Sequence, residues 1–173
     1  ALNEESFLDS WYESAKDADY LLIADTGSKD GLVHSARAMG INVIEISVSP
    51  WRFDVARNAA LAALPSDIDY CIALDMDEVL VGDWRSELEK AIKNSVTRPR
   101  YKYTWSWKDK SETVPDLQYG GDKIHLRSHY RWKHPVHEVL VTDRLEEKQE
   151  WFDFEIHHHP DMSKPRSQYF PLL

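Results

Sequence analysis

The sequence has one cysteine among its 173 residues, Cys71, so it cannot form a disulfide bond within the chain. Cys71 lies in the apolar stretch YCIAL, where we expect the thiol to fill core space rather than to react. The sequence also lacks an apolar run of about 20 residues that could span a bilayer, and it does not open with a charged-then-apolar leader. These absences predict a cytoplasmic protein with no integral membrane segment.

The sequence also has no excess of basic residues. The chain has 21 Lys and Arg against 30 Asp and Glu, which gives a formal net charge of −9. Nucleic-acid binding depends largely on Lys and Arg that neutralise phosphates, so the charge argues against a nucleic-acid partner and predicts that any phosphate site is local. A length of 173 residues with 42% hydrophobic content suits one domain with one sizeable core.

Segments typical of helices and strands alternate in the first half of the chain. The stretches YLLIAD, INVIEISV and YCIALDMDEVL predict strands, whereas GLVHSARAMG and FDVARNAALAALP have the composition of helices. The second half has one more helix, WRSELEKAIKN, followed by aromatic-rich alternating stretches typical of antiparallel strands. We therefore predict an α/β fold with a mixed sheet, mostly parallel in the N-terminal half and flanked by helices.

The stretch LDMDE at residues 74–78 is the strongest local chemical signal. Residues two apart in a strand point to the same side, so Asp75 and Asp77 are predicted to converge where the strand leaves the sheet. Two such carboxylates repel each other unless a proton or a cation lies between them, and open α/β sheets bind ligands at this end of their strands. A Mg²⁺ or Mn²⁺ ion completed by substrate phosphates would explain the pair. The alternative is a solvated strand end that binds nothing.

Four ordered motifs resemble a known family. NEE, LLIADTGSKDG, FDVARNAAL and CIALDMDEVL occur in the order and approximate spacing of family 2 glycosyltransferases with the GT-A fold, and the chain is especially similar to the bacterial lipopolysaccharide-core glucosyltransferase-like branch. The similarity is close over residues 3–82 and looser beyond. It implies a single Rossmann-like GT-A catalytic domain over residues 1–173. Residues 1–82 would be its nucleotide-sugar-binding lobe and residues 83–173 its acceptor-binding lobe.

The resemblance implies that the donor is a nucleotide-diphosphate sugar, by family habit a UDP-sugar. Asp25 would contact the base or ribose, and Thr26 and Gly27 would shape the surrounding loop. An Asx-type turn is the alternative role of Asp25. Arg57 and Asn58 match the family's Arg-Asn pair, in which Arg lies near the nucleotide.

The alternative role of Arg57 is a salt bridge to a strand-end acid such as Asp25 or Asp75. In the family pattern Asp75 lies near the ribose or the metal shell, next to Met76 in the donor site, and Asp77 binds the cation directly. Glu78, on the opposite side of an extended strand, would orient a loop.

Two histidine motifs complete the metal and acceptor predictions. His158, in EIHHHPD, resembles a late family histidine that would be a further metal ligand, and His137, in HPVHEVL, is a second candidate. Imidazole suits Mn²⁺ better than Mg²⁺. A structural role is the alternative for each histidine. Arg166, near the end of the chain, would contact the diphosphate, or would be a surface charge.

Most family 2 enzymes invert the anomeric centre by direct displacement, which needs a general base near the acceptor hydroxyl. Glu138 of the H-E segment is the first candidate and Asp116 the second. The acceptor would be a hydroxyl of a glycan, a lipid-linked glycan or another molecule. Alternative functions are a nucleotidyltransferase on a similar lobe, for which no triphosphate-binding loop is visible, and a non-catalytic carbohydrate-binding protein.

Overall fold

The computed structural model describes residues 1–143 and 146–161. A short 3₁₀ turn at Glu5–Phe7 leads into the first helix. The α-helices are α1 (Leu8–Ala15), α2 (Leu32–Ala38), α3 (Phe53–Ala63) and α4 (Trp84–Lys93). The strands are β1 (Leu22–Asp25), β2 (Asn42–Glu45), β3 (Tyr70–Ile72), β4 (Glu78–Val81), β5 (Arg98–Trp107), β6 (Pro115–Gly121), β7 (Ile124–Leu126), β8 (Arg131–Lys133), β9 (Val139–Val141) and β10 (Gln149–His158).

Within the described ranges these strands form one four-stranded sheet, in the order β4-β10-β5-β6, and three pairs, β1-β2, β3-β7 and β8-β9. The pairs β1-β2 and β5-β10 are parallel, and the other pairings are antiparallel. The prediction of an α/β fold is confirmed in this coarse sense. The prediction that the sheet is mostly parallel in the N-terminal half is wrong, because β3 and β4 each pair antiparallel with a strand from the second half.

The stretch predicted as one strand, YCIALDMDEVL, consists of two strands and a turn. Strand β3 ends at Ile72 and β4 begins at Glu78. Between them the N–H of Glu78 donates to the carbonyl of Asp75 at 3.0 Å, which is the i to i+3 bond of a β-turn. The alternation of an extended strand therefore does not apply to Asp75 and Asp77, and their side chains have different partners.

Helix α4 shows how local sequence sets an element. The Asp83 side chain accepts a hydrogen bond from the N–H of Ser86, and Lys90 and Lys93 lie in the last turn, where positive charge is favourable. The residues that α4 buries are Trp84, Leu88 and Ala91, at the three-to-four spacing of an amphipathic helix. This face packs on the four-stranded sheet.

The hydrophobic core is divided into two larger clusters. The first joins α1 and α4 to the four-stranded sheet and includes Ala15, Leu80, Trp84, Leu88, Tyr101, Tyr103, Ile124, Phe154 and Ile156. The second surrounds α1, α2 and β1 and includes Leu8, Trp11, Ile23, Leu32, Ala36, Ile41 and Met76. Leu21 and Leu74 are only partly buried and pack against both clusters. In the part of the chain that the structure describes, no helix has the length and hydropathy to cross a membrane.

Candidate functional site

A cleft of about 1780 Å³ is lined by residues of both core clusters. Its walls bring together eight residues predicted from the sequence: Thr26, Arg57, Asp75, Met76, Asp77, His137, Glu138 and His158. Four other predicted residues do not line it: Asp25, Gly27, Asn58 and Asp116. Arg166 falls outside the described residues. The cleft is therefore the candidate site, and it gathers most but not all of the predicted side chains.

Asp25 lies at the end of β1 and is 2% exposed. Its carboxylate accepts hydrogen bonds from the N–H groups of Gly27 at 2.9 Å and Ser28 at 3.0 Å, and from the Ser28 hydroxyl. Burial would raise the pKa of Asp25, but these hydrogen bonds hold it below its ordinary value. The Asx-turn alternative is thus observed, and Gly27 has the positive φ of 106° that this turn requires. The nucleoside contact stays a prediction.

The NEE segment fixes the loop that follows β1. The Asn3 side chain accepts the N–H of Lys29 at 2.7 Å, and the Glu5 carboxylate accepts the N–H of Gly31 at 2.9 Å and the Ser35 hydroxyl at 2.8 Å. The resemblance linked NEE to the DTGSKDG loop only by order along the chain. These contacts give both motifs a structural role, because the side chains of NEE accept hydrogen bonds from the backbone of the DTGSKDG loop.

Arg57, on α3, is the centre of a charge network in the cleft. Its guanidinium donates to Glu138 at 2.6 Å and to Asp75 at 3.0 Å, and it lies 4.9 Å from the centre of the Trp132 ring. Burial would lower the pKa of Arg57, but the charges of the two carboxylates raise it above its ordinary value. The salt-bridge alternative for Arg57 is therefore observed, with Asp75 as one of its two partners.

Lys123 is a charged cleft residue that the sequence did not indicate. Its ammonium group bonds to Asp75 at 2.7 Å and also to Glu78, whose side chain is 1% exposed. Desolvation alone would raise the pKa of Asp75, but the charges of Arg57 and Lys123 hold it well below its ordinary value. Two cations thus keep Asp75 ionised and fix its position.

Glu78 orients the turn, as predicted. One of its oxygens accepts the N–H of Asp75 at 2.9 Å, and the other bonds to Lys123 and to the Tyr103 hydroxyl. Burial and the adjacent Glu78 raise the pKa of Tyr103, so the phenol stays protonated and serves as a donor. The side chain next to Asp75 in sequence, Met76, is 6% exposed and packs in the second core cluster.

Asp77 and His158 meet where β4 begins and β10 ends. The N–H of His159 donates to the carbonyl of Asp77 at 2.7 Å, which joins the two segments. Nδ1 of His158 lies 3.0 Å from the carbonyl of Trp105, so this nitrogen carries the proton in the neutral ring. Nε2 faces Oδ2 of Asp77, 3.3 Å away. Burial would lower the pKa of His158, but the hydrogen bond to Asp77 raises it above its ordinary value. A proton or a cation therefore lies between the ring nitrogen and the carboxylate.

Asp77 and His158 could serve as two ligands of a divalent cation, whereas the predicted metal contact of Asp75 stays a prediction. The 3.3 Å between Asp77 Oδ2 and His158 Nε2 is compatible with two neighbouring ligands of one ion, and the bond from Nδ1 to a backbone carbonyl is the usual support of a ligating histidine. Asp75 is already ion-paired to Arg57 and Lys123. In residues 1–143 and 146–161, no group of three or more His, Cys, Asp and Glu side chains could hold a metal by itself. Phosphate and water oxygens would therefore have to complete the shell.

Asn58 and Asp116, both predicted as site residues, lie outside the cleft wall. The Asn58 amide donates to the carbonyl of Trp132 and accepts its N–H, both at 2.9 Å, and so ties α3 to β8. Asp116 is exposed on β6, an edge strand that the sequence did not predict, and its contact is with the Ser106 hydroxyl at 3.5 Å. Asp116 does not line the cleft, although Tyr119 of the same strand does, and its role as a general base stays a prediction. His137 and Glu138 lie in the cleft wall.

The chain matches no family model and no curated protein.

Proposed function

We propose that this protein is a metal-dependent glycosyltransferase with a GT-A type domain, which moves a hexose from a nucleotide-diphosphate sugar, a UDP-sugar, to an acceptor hydroxyl. The observation that carries the proposal is the placement of Asp77 Oδ2 and His158 Nε2 at 3.3 Å in the wall of the cleft. The ordered motifs of the sequence support the same function.

The charge network in the cleft joins the acids Asp75, Glu78 and Glu138 to the cations Arg57 and Lys123. Asp77 is paired with His158 instead, at the end of the cleft where a cation is proposed. When bound, Mn²⁺ or Mg²⁺ would act as a Lewis acid on the diphosphate of the donor.

The chain's own residues would hold the ion and order the donor. Asp77 and His158 would bind the cation, while Arg57 and Lys123 keep the carboxylate of Asp75 ionised for hydrogen bonds from ribose hydroxyls. In the reaction the acceptor oxygen bonds to the anomeric carbon, the bond from that carbon to the diphosphate oxygen breaks, and a carboxylate takes the hydroxyl proton. The products are the glycosylated acceptor and a nucleoside diphosphate.

Nucleotide release from a panel of UDP-, GDP- and dTDP-sugars, with and without Mn²⁺, tests the proposal. We expect release of UDP that depends on Mn²⁺ and is abolished by a chelator. If no donor is bound or cleaved in the presence of metal, the proposal fails. Pyrophosphate release from a nucleoside triphosphate would instead support a nucleotidyltransferase, and glycan binding without any turnover would support a non-catalytic protein.

Exchanging Glu138 for glutamine distinguishes between the two candidate general bases. Glu138 lies in the cleft wall, and its carboxylate already accepts a bond from Arg57 at 2.6 Å. If it takes the proton of the acceptor, Glu138→Gln lowers kcat about 10²-fold or more with little change in donor affinity. Asp116→Asn, on the exposed edge strand, is expected to leave kcat unchanged. Loss of transfer in the Asp116 variant alone would contradict this assignment.

A further inference from the structure

A row of neighbouring rings leads along the four-stranded sheet to His158. The centres of the Tyr119 and Tyr103 rings are 5.1 Å apart, those of Tyr103 and Trp105 6.3 Å, and those of Trp105 and His158 4.5 Å. Tyr103 and Trp105 belong to β5, Tyr119 to β6 and His158 to the end of β10. We call these four residues the aromatic row. It ends at the imidazole that faces Asp77 at 3.3 Å.

Two members of the aromatic row are open to the cleft. Trp105 is 38% exposed and Tyr119 is 47% exposed, and both line the cleft wall. Within the described ranges they are the most exposed aromatic side chains of that wall. Tyr103 and His158 are buried. The wall next to the proposed cation site therefore presents flat apolar surface as well as charged groups.

The buried members of the row hold the open ones in place. The His158 ring stacks on the Trp105 indole with 19° between the planes, and His158 Nδ1 bonds to the Trp105 carbonyl at 3.0 Å. The Tyr103 ring lies against Tyr119, and its hydroxyl donates to Glu78. Rings that are fixed in this way lose little conformational entropy when a ligand binds, so they are effective contact surfaces.

Strand β5 is irregular at Trp105. Its register with β6 shifts between Thr104 and Ser106, so the ladder passes over Trp105. Bulges of this kind redirect side chains and are frequent next to active sites. The Thr104 side chain beside it is buried and accepts a hydrogen bond from Gln118 at 2.8 Å. Trp105 thus lies at a local irregularity in the wall of the cleft, which favours a binding role over core packing.

The ligand that suits these rings is a sugar. A pyranose has a face of C–H groups, which packs against a flat aromatic ring, and a rim of hydroxyls, which needs polar neighbours. The cleft provides both, because the partly exposed carboxylate of Asp77 lies beside the His158 ring that stacks on Trp105. Nucleic-acid bases also stack on aromatic rings, but a chain with a net charge of −9 is a poor partner for their phosphates.

We propose that Trp105 and Tyr119 form the platform that binds the acceptor, and that this acceptor is a glycan with a pyranose ring stacked on them. Naming this sugar as the acceptor rests on the proposed glycosyl transfer, whereas binding of a saccharide to the platform does not. The stacked ring holds its hydroxyls next to Asp77 and His158, where the diphosphate of the donor would meet the cation. Simple alcohols such as glycerol lack the ring face and would be poor acceptors.

Saccharide binding without any donor tests the platform itself. Saturation-transfer NMR with neutral trisaccharides of glucose, galactose, mannose and N-acetylglucosamine measures the dissociation constants. We expect Trp105→Ala and Tyr119→Ala each to weaken binding about tenfold, and Trp105→Phe, which keeps a flat ring, to weaken it less. Trp151→Ala is the matched control, because Trp151 is 67% exposed on β10 and does not line the cleft. It should bind saccharides as the unaltered protein does.

Nucleotide release in the presence of the trisaccharide separates this proposal from the proposed function. We expect the saccharide to accelerate Mn²⁺-dependent release of UDP, and Trp105→Ala to raise the KM for the saccharide about tenfold. The affinity for Mn²⁺ should stay unchanged, because alanine retains the carbonyl that bonds to His158. Saccharide binding that the two alanine variants lose, without any nucleotide release, would support the platform and contradict the transferase.

Three results would overturn the platform even if nucleotide release is observed. The first is that none of the trisaccharides binds, and the second is that Trp105→Ala and Tyr119→Ala bind them as tightly as Trp151→Ala does. The third is a loss of UDP binding in both alanine variants with saccharide binding unchanged, because the rings would then hold the nucleobase of the donor.

Discussion

Replacing Asp77 with asparagine is expected to lower kcat/KM for nucleotide-sugar cleavage by about 10³-fold. Lewis-acid stabilisation of a departing diphosphate is worth several kcal/mol, and each 1.36 kcal/mol corresponds to a factor of ten in rate. An amide oxygen carries no net charge, so the cation would lose the charged member of its protein ligand pair, Asp77 and His158. Steady-state nucleotide release at saturating Mn²⁺ measures the rate, and Mn²⁺ titration by electron paramagnetic resonance measures the affinity, which should weaken about tenfold or more.

Asp116→Asn is the matched control for this substitution, because it removes the same charge from a residue outside the cleft. The Asp77 side chain is 24% exposed and its ion pair is with His158, so we expect the unfolding midpoint of Asp77→Asn to stay close to that of the unaltered protein. A loss of activity without unfolding would then be a loss of chemistry. Unchanged Mn²⁺ affinity and unchanged kcat/KM in Asp77→Asn would contradict the metal assignment.

Elements whose signals are local were predictable from the sequence. Helix α4 carries its own cap in Asp83, and α2 ends where Gly40 adopts a φ of 80° that favours glycine. The pairing of strands was not predictable in this way. β5 and β10 are both aromatic-rich and alternating, which suggested antiparallel neighbours, yet they pair in parallel. Residue alternation records which faces of a strand are buried, and it contains no information about the direction of the neighbouring strand.

The candidate site was predictable as a set of carboxylates but not as a set of ion pairs. LDMDE and DTGSKDG marked Asp75, Asp77 and Asp25, because acids that end apolar stretches are conspicuous in any sequence. Lys123 lies 48 residues from Asp75 and belongs to no motif. It reaches the site because the N–H of Ala73 bonds to its carbonyl at the end of the β3-β7 pair. Buried acids do require cations nearby, but only the strand register determines which cation.

Replacing Lys123 with methionine is expected to lower the free energy of unfolding by about 3 to 5 kcal/mol, the cost of leaving a buried charge without its partner. Most of this cost would come from Glu78, because its side chain is 1% exposed whereas that of Asp75 is 42% exposed and keeps its ion pair with Arg57. Urea unfolding at neutral pH measures the change. Lys102→Met is the matched control: Lys102 pairs with Glu155 at 2.7 Å on the surface, where such a pair contributes at most about 1 kcal/mol.

The double variant Lys123→Met with Glu78→Gln separates lost charge pairing from lost packing. If the unpaired Glu78 carboxylate causes the loss, neutralising it should restore more than half of the stability, because the glutamine can still accept the N–H of Asp75 and the Tyr103 hydroxyl. If the double variant regains no stability over Lys123→Met, the loss comes from other contacts of Lys123, such as that of its ammonium group 5.5 Å from the centre of the Tyr103 ring. A cost for Lys123→Met no larger than that for Lys102→Met would mean that water reaches Glu78, and Asp75 would then depend on Arg57 alone.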